Sequence, residues 1–93
     1  MTEFDKRLLT IELFAWVGED ELGSGEIGLK QAIVAAGCIP MVATRLDKMD
    51  QPYIAGQMDG LALRYNTQIR LVRFVATEIL KRPGDDFPYP ERR

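Results

Sequence analysis

The residues best suited to chemistry lie in one acidic, glycine-rich segment, residues 18–28, with the sequence GEDELGSGEIG. The segment contains four glycines and four carboxylates, the latter being Glu19, Asp20, Glu21 and Glu26. Converging carboxylates are the ligands that Mg²⁺ and Ca²⁺ prefer, and a carboxylate pair with different pKa values could exchange protons with a substrate. Lys30 follows closely and could form a Schiff base or bind phosphate, although a strand lysine more commonly faces solvent. These five residues are the candidate binding site.

Three glycines of the segment follow the spacing of a dinucleotide-binding loop. Gly23, Gly25 and Gly28 match G-x-G-x-x-G, in which glycines let the backbone approach a pyrophosphate. Acidic residues separate this motif from the preceding apolar segment and would repel a phosphate. A chain of 93 residues also lacks the remaining strands of that fold. We therefore predict a recognition loop and no cofactor.

Several other chemistries are excluded by composition. The chain has no histidine, so the commonest general base and the commonest zinc ligand are both missing. Ser24 has no histidine to activate its hydroxyl group, and the acids do not follow the spacing of an EF-hand loop. We therefore assign no catalytic residue and predict no metal site.

Cysteine usage and hydropathy indicate the compartment. Cys38 is the only cysteine, so no internal disulfide can form, which is typical of proteins in a reducing environment. No apolar run reaches the ~18 to 20 residues needed to span a bilayer. The sequence therefore predicts a soluble cytoplasmic protein without membrane contact.

The charges are unevenly distributed along the chain. Residues 1–50 carry nine acids and five bases, whereas residues 51–93 carry five acids and seven bases, for a net charge of −2. A net acidic chain makes nucleic acid an unlikely partner, because phosphate binding needs an excess of cations. The exception would be a basic region, residues 64–82. The polarity also suits contacts between copies of the chain.

The hydrophobic pattern predicts an α+β fold, with a small mixed sheet of about four strands and one long helix packed on one face. Alternation and β-branched residues indicate strands at residues 8–17, 26–34, 38–45 and 68–76. Apolar spacing of three and four indicates a helix over residues 48–65, with Asp47 as its N-cap and a start that Pro52 could move to residue 51 or 52.

Two of these elements have alternatives. Residues 35–37, Ala-Ala-Gly, predict a hairpin turn, but a helix over residues 26–36 ended by Gly37 is also possible. Residues 69–80 favour a strand, which would complete a βαβ unit, yet Arg70, Arg73 and Thr77 also lie at helical spacing. We predict the hairpin and the strand.

The sequence predicts one globular domain over residues 1–82 and an extended or disordered tail over residues 83–93, which is rich in proline and acids. Phe14 and Trp16 lie on a strand that is apolar on both faces, so a second layer, the tail or a partner chain must cover them. Ordinary core packing is one interpretation, and an interface is the other.

Function is therefore predicted as a small, non-catalytic binding or assembly module that acts through protein–protein contacts and self-associates as a homo-oligomer. One alternative is a small metal-dependent enzyme or small-molecule binder that uses residues 18–28. A further alternative is nucleic-acid binding through residues 64–82.

Overall fold

The computed structural model describes residues 1–84, apart from the side chain of Val34, and confirms an α+β fold. In chain order the elements are α1 (Glu3–Leu8), β1 (Glu12–Glu19), β2 (Ile27–Leu29), β3 (Gln31–Val34), β4 (Gly37–Pro40), β5 (Val42–Ala43), α2 (Leu46–Met49), α3 (Pro52–Tyr65) and β6 (Ile69–Val75). The described residues divide into two compact units, Glu12–Phe74, and Met1–Ile11 together with residues 75–84. A single domain over residues 1–82 stays a prediction.

Strand β1 is the centre of the sheet in the Glu12–Phe74 unit. It pairs antiparallel with β2 near its end and with β5 near its start. Between these two pairings, the Trp16 carbonyl accepts from the Lys30 N–H at 2.8 Å. The backbone N–H of Trp16 donates to the Met41 carbonyl at 3.0 Å. Lys30 and Met41 are themselves joined by a 2.9 Å backbone hydrogen bond. Strands β2 and β5 are thus two halves of one strand, from which residues 31–40 leave as the β3–β4 hairpin.

Strand β6 pairs with β1 along its opposite edge. The Glu19 N–H donates to the Gln68 carbonyl at 3.1 Å, and Glu12 and Arg73 form an ion pair at 3.3 Å near the other end. These contacts at opposite ends show that β6 runs antiparallel to β1. Since β5 is also antiparallel to β1, β5 and β6 run parallel with β1 between them. The strands that flank α3 are therefore parallel but not adjacent, unlike those of the predicted βαβ unit.

The core of this unit is rich in methionine. Phe14 from β1 packs with Ala32, Met41, Met49 and Met58, the last of which is 1% exposed. Burying a side chain of this size stabilises the fold by about 1.5–3 kcal/mol. Helix α3 supplies Ile54, Met58 and Leu61 at spacings of four and three, which places them on one face of the helix toward the core.

Most predicted elements are confirmed with shifted boundaries. Residues 69–75 form a strand, and β3 and β4 form the hairpin, with Gly37 at φ +122°. The predicted helix over residues 48–65 is divided, because Pro52 occupies the first turn of α3 and Gln51 is the N-cap. Asp47 does not cap a helix but binds the Arg45 guanidinium at 2.9 and 3.1 Å.

The predicted start of the first strand at residue 8 is wrong, because residue 8 ends helix α1. Thr2 and Asp5 form a reciprocal capping box, in which each side chain bonds the other residue's backbone N–H, at 3.1 and 3.2 Å. Asp5 is buried and paired with Arg82 at 2.7 Å, which holds the pKa of this carboxyl below its usual value. The predicted tail over residues 83–93 lies, from residue 85 onward, outside the described residues.

No helix in residues 1–84 is long and apolar enough to cross a membrane.

Gly18 is the position where the sheet tolerates no side chain. A Cβ there would lie 2.5 Å from the Gln68 carbonyl oxygen, 2.8 Å from Ile69 Cγ1 and 3.0 Å from Lys30 Cε. We expect Gly18→Ala to lower the free energy of unfolding by about 1–3 kcal/mol, because the paired backbone must move. The matched control is Gly28→Ala, since Gly28 is the cross-strand partner of Gly18 and has no atom within 4 Å of its added Cβ. Equal urea midpoints for the two variants would contradict the clash.

Candidate functional site

The acidic loop, residues 20–26, connects β1 to β2 and is closed by its own hydrogen bonds. The Asp20 N–H donates to the Glu26 carbonyl at 2.9 Å, and the Gly23 N–H donates to the Asp20 carbonyl at 3.2 Å. Ser24 donates its N–H to Asp20 Oδ2 at 3.4 Å and accepts from the Glu26 N–H at 3.2 Å. Gly23 and Gly25 both have φ above +80°, which glycine adopts without strain. The glycines therefore shape a defined turn.

Lys30 holds the start of this loop through its buried side chain. Its side chain is only 6% exposed, and its Nζ donates to the Glu19 carbonyl and to Glu21 Oε1, the latter at 2.9 Å. A buried ammonium is stable only when acceptors replace its lost hydration. The expectation that Lys30 faces solvent is therefore wrong, and the lysine instead fixes the entry to the acidic loop.

Three of the four candidate carboxylates, Glu19, Asp20 and Glu21, have different partners. Glu19 Oε1 accepts from the Gln68 N–H at 2.7 Å, Glu21 binds Lys30, and Asp20 is held by Ser24. Within residues 1–84, no group of three or more Asp, Glu or Cys side chains lies close enough to hold a metal ion. The loop therefore presents separate charges and no shared coordination site.

The protonation of these carboxylates favours electrostatic recognition over proton transfer. The hydrogen bond from Ser24 holds the pKa of Asp20 below its usual value, and the Lys30 ammonium does the same for the pKa of Glu21. A general acid at neutral pH needs the opposite change, a raised pKa. Asp20 and Glu21 therefore stay negatively charged and are suited to attract a cation.

Two open clefts flank the Lys30–Glu21 pair. The smaller one has a volume of about 230 Å³ and runs along β2, with Glu26 and Ile27 in its lining. The larger one has a volume of about 420 Å³ and lies between the acidic loop, the hairpin and the end of α3. Both are lined by the same four residues at their shared wall, Asp20, Glu21, Leu29 and Lys30.

The larger cleft has an exposed apolar rim. Leu22 is 93% exposed, Ile33 79% and Tyr65 42%, and all three line this cleft together with Leu61. Cys38 also lies on its wall and is exposed. Apolar side chains gathered around a cleft, unlike single exposed ones, are typical of binding surfaces.

The chain matches no protein-family model, no curated protein and no solved structure.

Phe14 and Trp16, the interface candidates, pack within the Glu12–Phe74 unit. Phe14 is 8% exposed, and the Arg73 guanidinium lies 5.7 Å from its ring centroid. Trp16 packs against the core, and its indole N–H donates to the Met49 carbonyl at 3.0 Å. Phe14 thus offers almost no surface to a second chain, and an interface role for Trp16 stays a prediction.

The basic region is partly neutralised within each unit. Arg73 pairs with Glu12 at 3.3 Å, and Arg82 pairs with Asp5 at 2.7 Å. Arg64 lies over the ring of Tyr65 at 5.5 Å. These contacts give residues 64–82 structural roles in addition to their positive charge.

Sequence reasoning identified the charged side of the larger cleft but not its apolar side. Leu61 and Tyr65 are far from the acidic loop in sequence, and they line the same cleft as the loop together with Ile33 of the hairpin. The predicted strand over residues 26–34 assigns Ile33 to the main sheet, whereas it lies in β3, which pairs with β4 in a separate two-stranded sheet.

Removing Glu21 should expose the role of the buried ion pair. Glu21→Gln keeps an amide oxygen that can accept from Lys30 but removes the negative charge that neutralises the buried ammonium. We expect a loss of about 1–3 kcal/mol, reduced toward the lower value because Glu21 is 34% exposed. Adding Lys30→Met should recover most of this loss. Urea denaturation of the two single variants and the double variant measures the coupling.

The control is Asp47→Asn, which breaks an ion pair of the same length whose side chains are 68% and 64% exposed. Its effect should stay below about 1 kcal/mol. A Glu21→Gln variant as stable as Asp47→Asn would show that the buried pair contributes nothing.

The same pair should make stability depend on acid pH. Because the folded-state pKa of Glu21 lies below its ordinary value of 4.5, the unfolded chain binds this proton first as pH falls. The contribution is therefore complete above pH ~5 and is lost as pH falls through the folded pKa. We expect the free energy of unfolding of Glu21→Gln to fall less steeply below pH ~4.5 than that of the wild type. Identical slopes would contradict the shift.

Proposed function

We propose that this protein is a small, non-catalytic binding module that acts through protein–protein contacts, and that the larger cleft and the acidic loop recognise the partner. The observation that carries the proposal is the buried Lys30, which holds a charged loop in one conformation beside an exposed apolar cleft. A preformed surface of this kind avoids much of the entropy cost of ordering on binding.

The chemistry of the cleft indicates which partner segment would fit. Of its charged groups, Glu21 is already paired with Lys30, which leaves the Asp20 carboxylate as the charge available to a ligand. Leu22, Ile33 and Tyr65 provide apolar area next to it. A peptide segment with apolar side chains and an adjacent arginine or lysine complements both features.

The two alternative functions have less support in the described residues. A metal-dependent enzyme would need converging ligands, and residues 1–84 contain no such group of acids and cysteines. Nucleic-acid binding would need free cations, whereas Arg73 and Arg82 are each paired with a carboxylate. We accordingly propose no catalytic residue, metal or cofactor.

We also propose that the protein works in the cytoplasm. The support for this location is its single, exposed cysteine, which can form no internal disulfide.

A pair of short peptides tests the recognition chemistry. The probe is acetyl-Leu-Arg-Leu-Arg-Leu-amide, and the comparison peptide replaces each arginine with glutamate. We expect the basic peptide to shift amide NMR resonances of residues 20–22, Ile33 and Tyr65, and to bind more weakly as salt is raised, because the charge attraction is screened. The acidic peptide should leave these resonances unchanged.

Matched variants locate the binding surface. Ile33→Lys changes a 79% exposed residue of the cleft, and Leu63→Lys changes an 84% exposed residue of α3 that does not line it. We expect the first to abolish binding of the basic peptide and the second to leave it intact. Equal binding of both peptides, or equal effects of both variants, would refute the proposal.

A further inference from the structure

Strand β6 ends the sheet on one side. Its strand partner within residues 1–84 is β1. The Gln68 carbonyl points toward β1, where it accepts from Glu19. Because backbone groups of successive strand residues point to opposite edges, residues 70, 72 and 74 also face β1, and residues 69, 71, 73 and 75 direct their N–H and C=O groups away from it.

The sequence of this edge, IRLVRFV, contains no proline, glycine or lysine. Proteins commonly use proline, charged side chains such as lysine, or a β-bulge to prevent edge strands from pairing with another chain. The charged residues of this strand are Arg70 and Arg73, and a pairing has to separate them from each other across the edge. Phe74 and Val75 are 46% and 62% exposed. The Ile69 carbonyl is covered by the Arg70 guanidinium at 2.9 Å, but the centre of the edge, at Leu71 and Arg73, shows no comparable protection among the described contacts.

We propose that β6 pairs antiparallel with β6 of a second copy of this chain, about a two-fold axis at Val72. In this register Leu71 lies opposite the partner's Arg73, and these two residues exchange the outward backbone hydrogen bonds. Arg70 lies opposite the partner's Phe74, and Ile69 lies opposite the partner's Val75. The two sheets join into one, and the two-fold symmetry closes the assembly as a dimer.

Charge and length select this register. An axis at Arg73 would place the two Arg73 guanidinium groups opposite each other, which is destabilising. An axis at Leu71 would pair only residues 69–73 of the strand with themselves. The axis at Val72 pairs the whole of Ile69–Val75. It also places each Arg70 opposite an exposed Phe74 ring. In the dimer the guanidinium leaves its bonds to the Ile69 carbonyl and to Gln68 for a cation–π contact with that ring, made twice, and frees the carbonyl for pairing.

The pairing uses no residue of the larger cleft. It is therefore independent of the proposed function, and either proposal can fail without the other. An extended segment of a different protein could also add to this edge, and a monomeric wild type would favour that occupant instead.

Two substitutions of the same exposed residue test the register by charge sign. Phe74→Lys places an ammonium opposite the partner's Arg70, whereas Phe74→Glu places a carboxylate there. Two symmetric pairs are changed at once, so we expect the dimer dissociation constant of Phe74→Lys to exceed that of Phe74→Glu by about tenfold or more. Adding Arg70→Glu to Phe74→Lys should restore dimerisation. Sedimentation velocity over a dilution series measures each constant.

A second pair of variants tests the backbone hydrogen bonds. Arg73→Pro removes an outward N–H, whereas Arg73→Ala removes the same side chain and its ion pair with Glu12 but keeps the N–H. We expect only the proline variant to be monomeric, with both variants folded by circular dichroism. A wild type that stays monomeric at several hundred micromolar would overturn the proposal. So would a dimer that responds equally to Phe74→Lys and Phe74→Glu and survives Arg73→Pro.

Discussion

The buried ammonium group of Lys30 is the constraint on which the rest of the site depends. An amine removed from water needs acceptors at fixed positions, and here they come from the Glu19 carbonyl and the Glu21 carboxylate at the end of β1. Satisfying Lys30 therefore fixes how the chain leaves the strand. The acidic loop then closes through its own hydrogen bonds. The positions of its charges therefore depend on the bonds that Lys30 donates to Glu19 and Glu21.

The same constraint explains why the neighbouring strand position is a glycine. The stem of Lys30 crosses Gly18 on its way to the loop, while the start of β6 crowds it at the Gln68 carbonyl. A side chain at residue 18 would displace either the lysine or β6. The close approach of β1, β2 and β6 at this point is thus a packing condition for the site above it.

The sequence predicts the elements better than it predicts their interruptions. The β-branched residues of β6 and the turn at residues 35–37 are local signals, and the structure contains both the strand and the hairpin. The capping box is also a local signal, because Thr2 and Asp5 lie three residues apart at the start of α1. By contrast, the predicted strands 26–34 and 38–45 are each broken, at Lys30 and at Met41. The break depends on both residues meeting Trp16, a contact that no local pattern contains.

Burial of a lysine is also outside what local pattern can predict, because its cause is the geometry of distant acceptors. The candidate carboxylates were found from composition alone, yet their separate partners and the apolar wall beside them follow from tertiary packing.

The hairpin of residues 31–40 has a consequence for how this scaffold could diversify. Lys30 and Met41 already meet across Trp16 and bond each other at 2.9 Å, so the sheet register is complete without the residues between them. The hairpin also carries Ala32 into the core and Ile33 to the wall of the larger cleft. Insertions or deletions near the tip of the hairpin would therefore reshape the cleft while the strands on either side keep their pairing. New binding specificities could arise in this hairpin without a change in the main sheet.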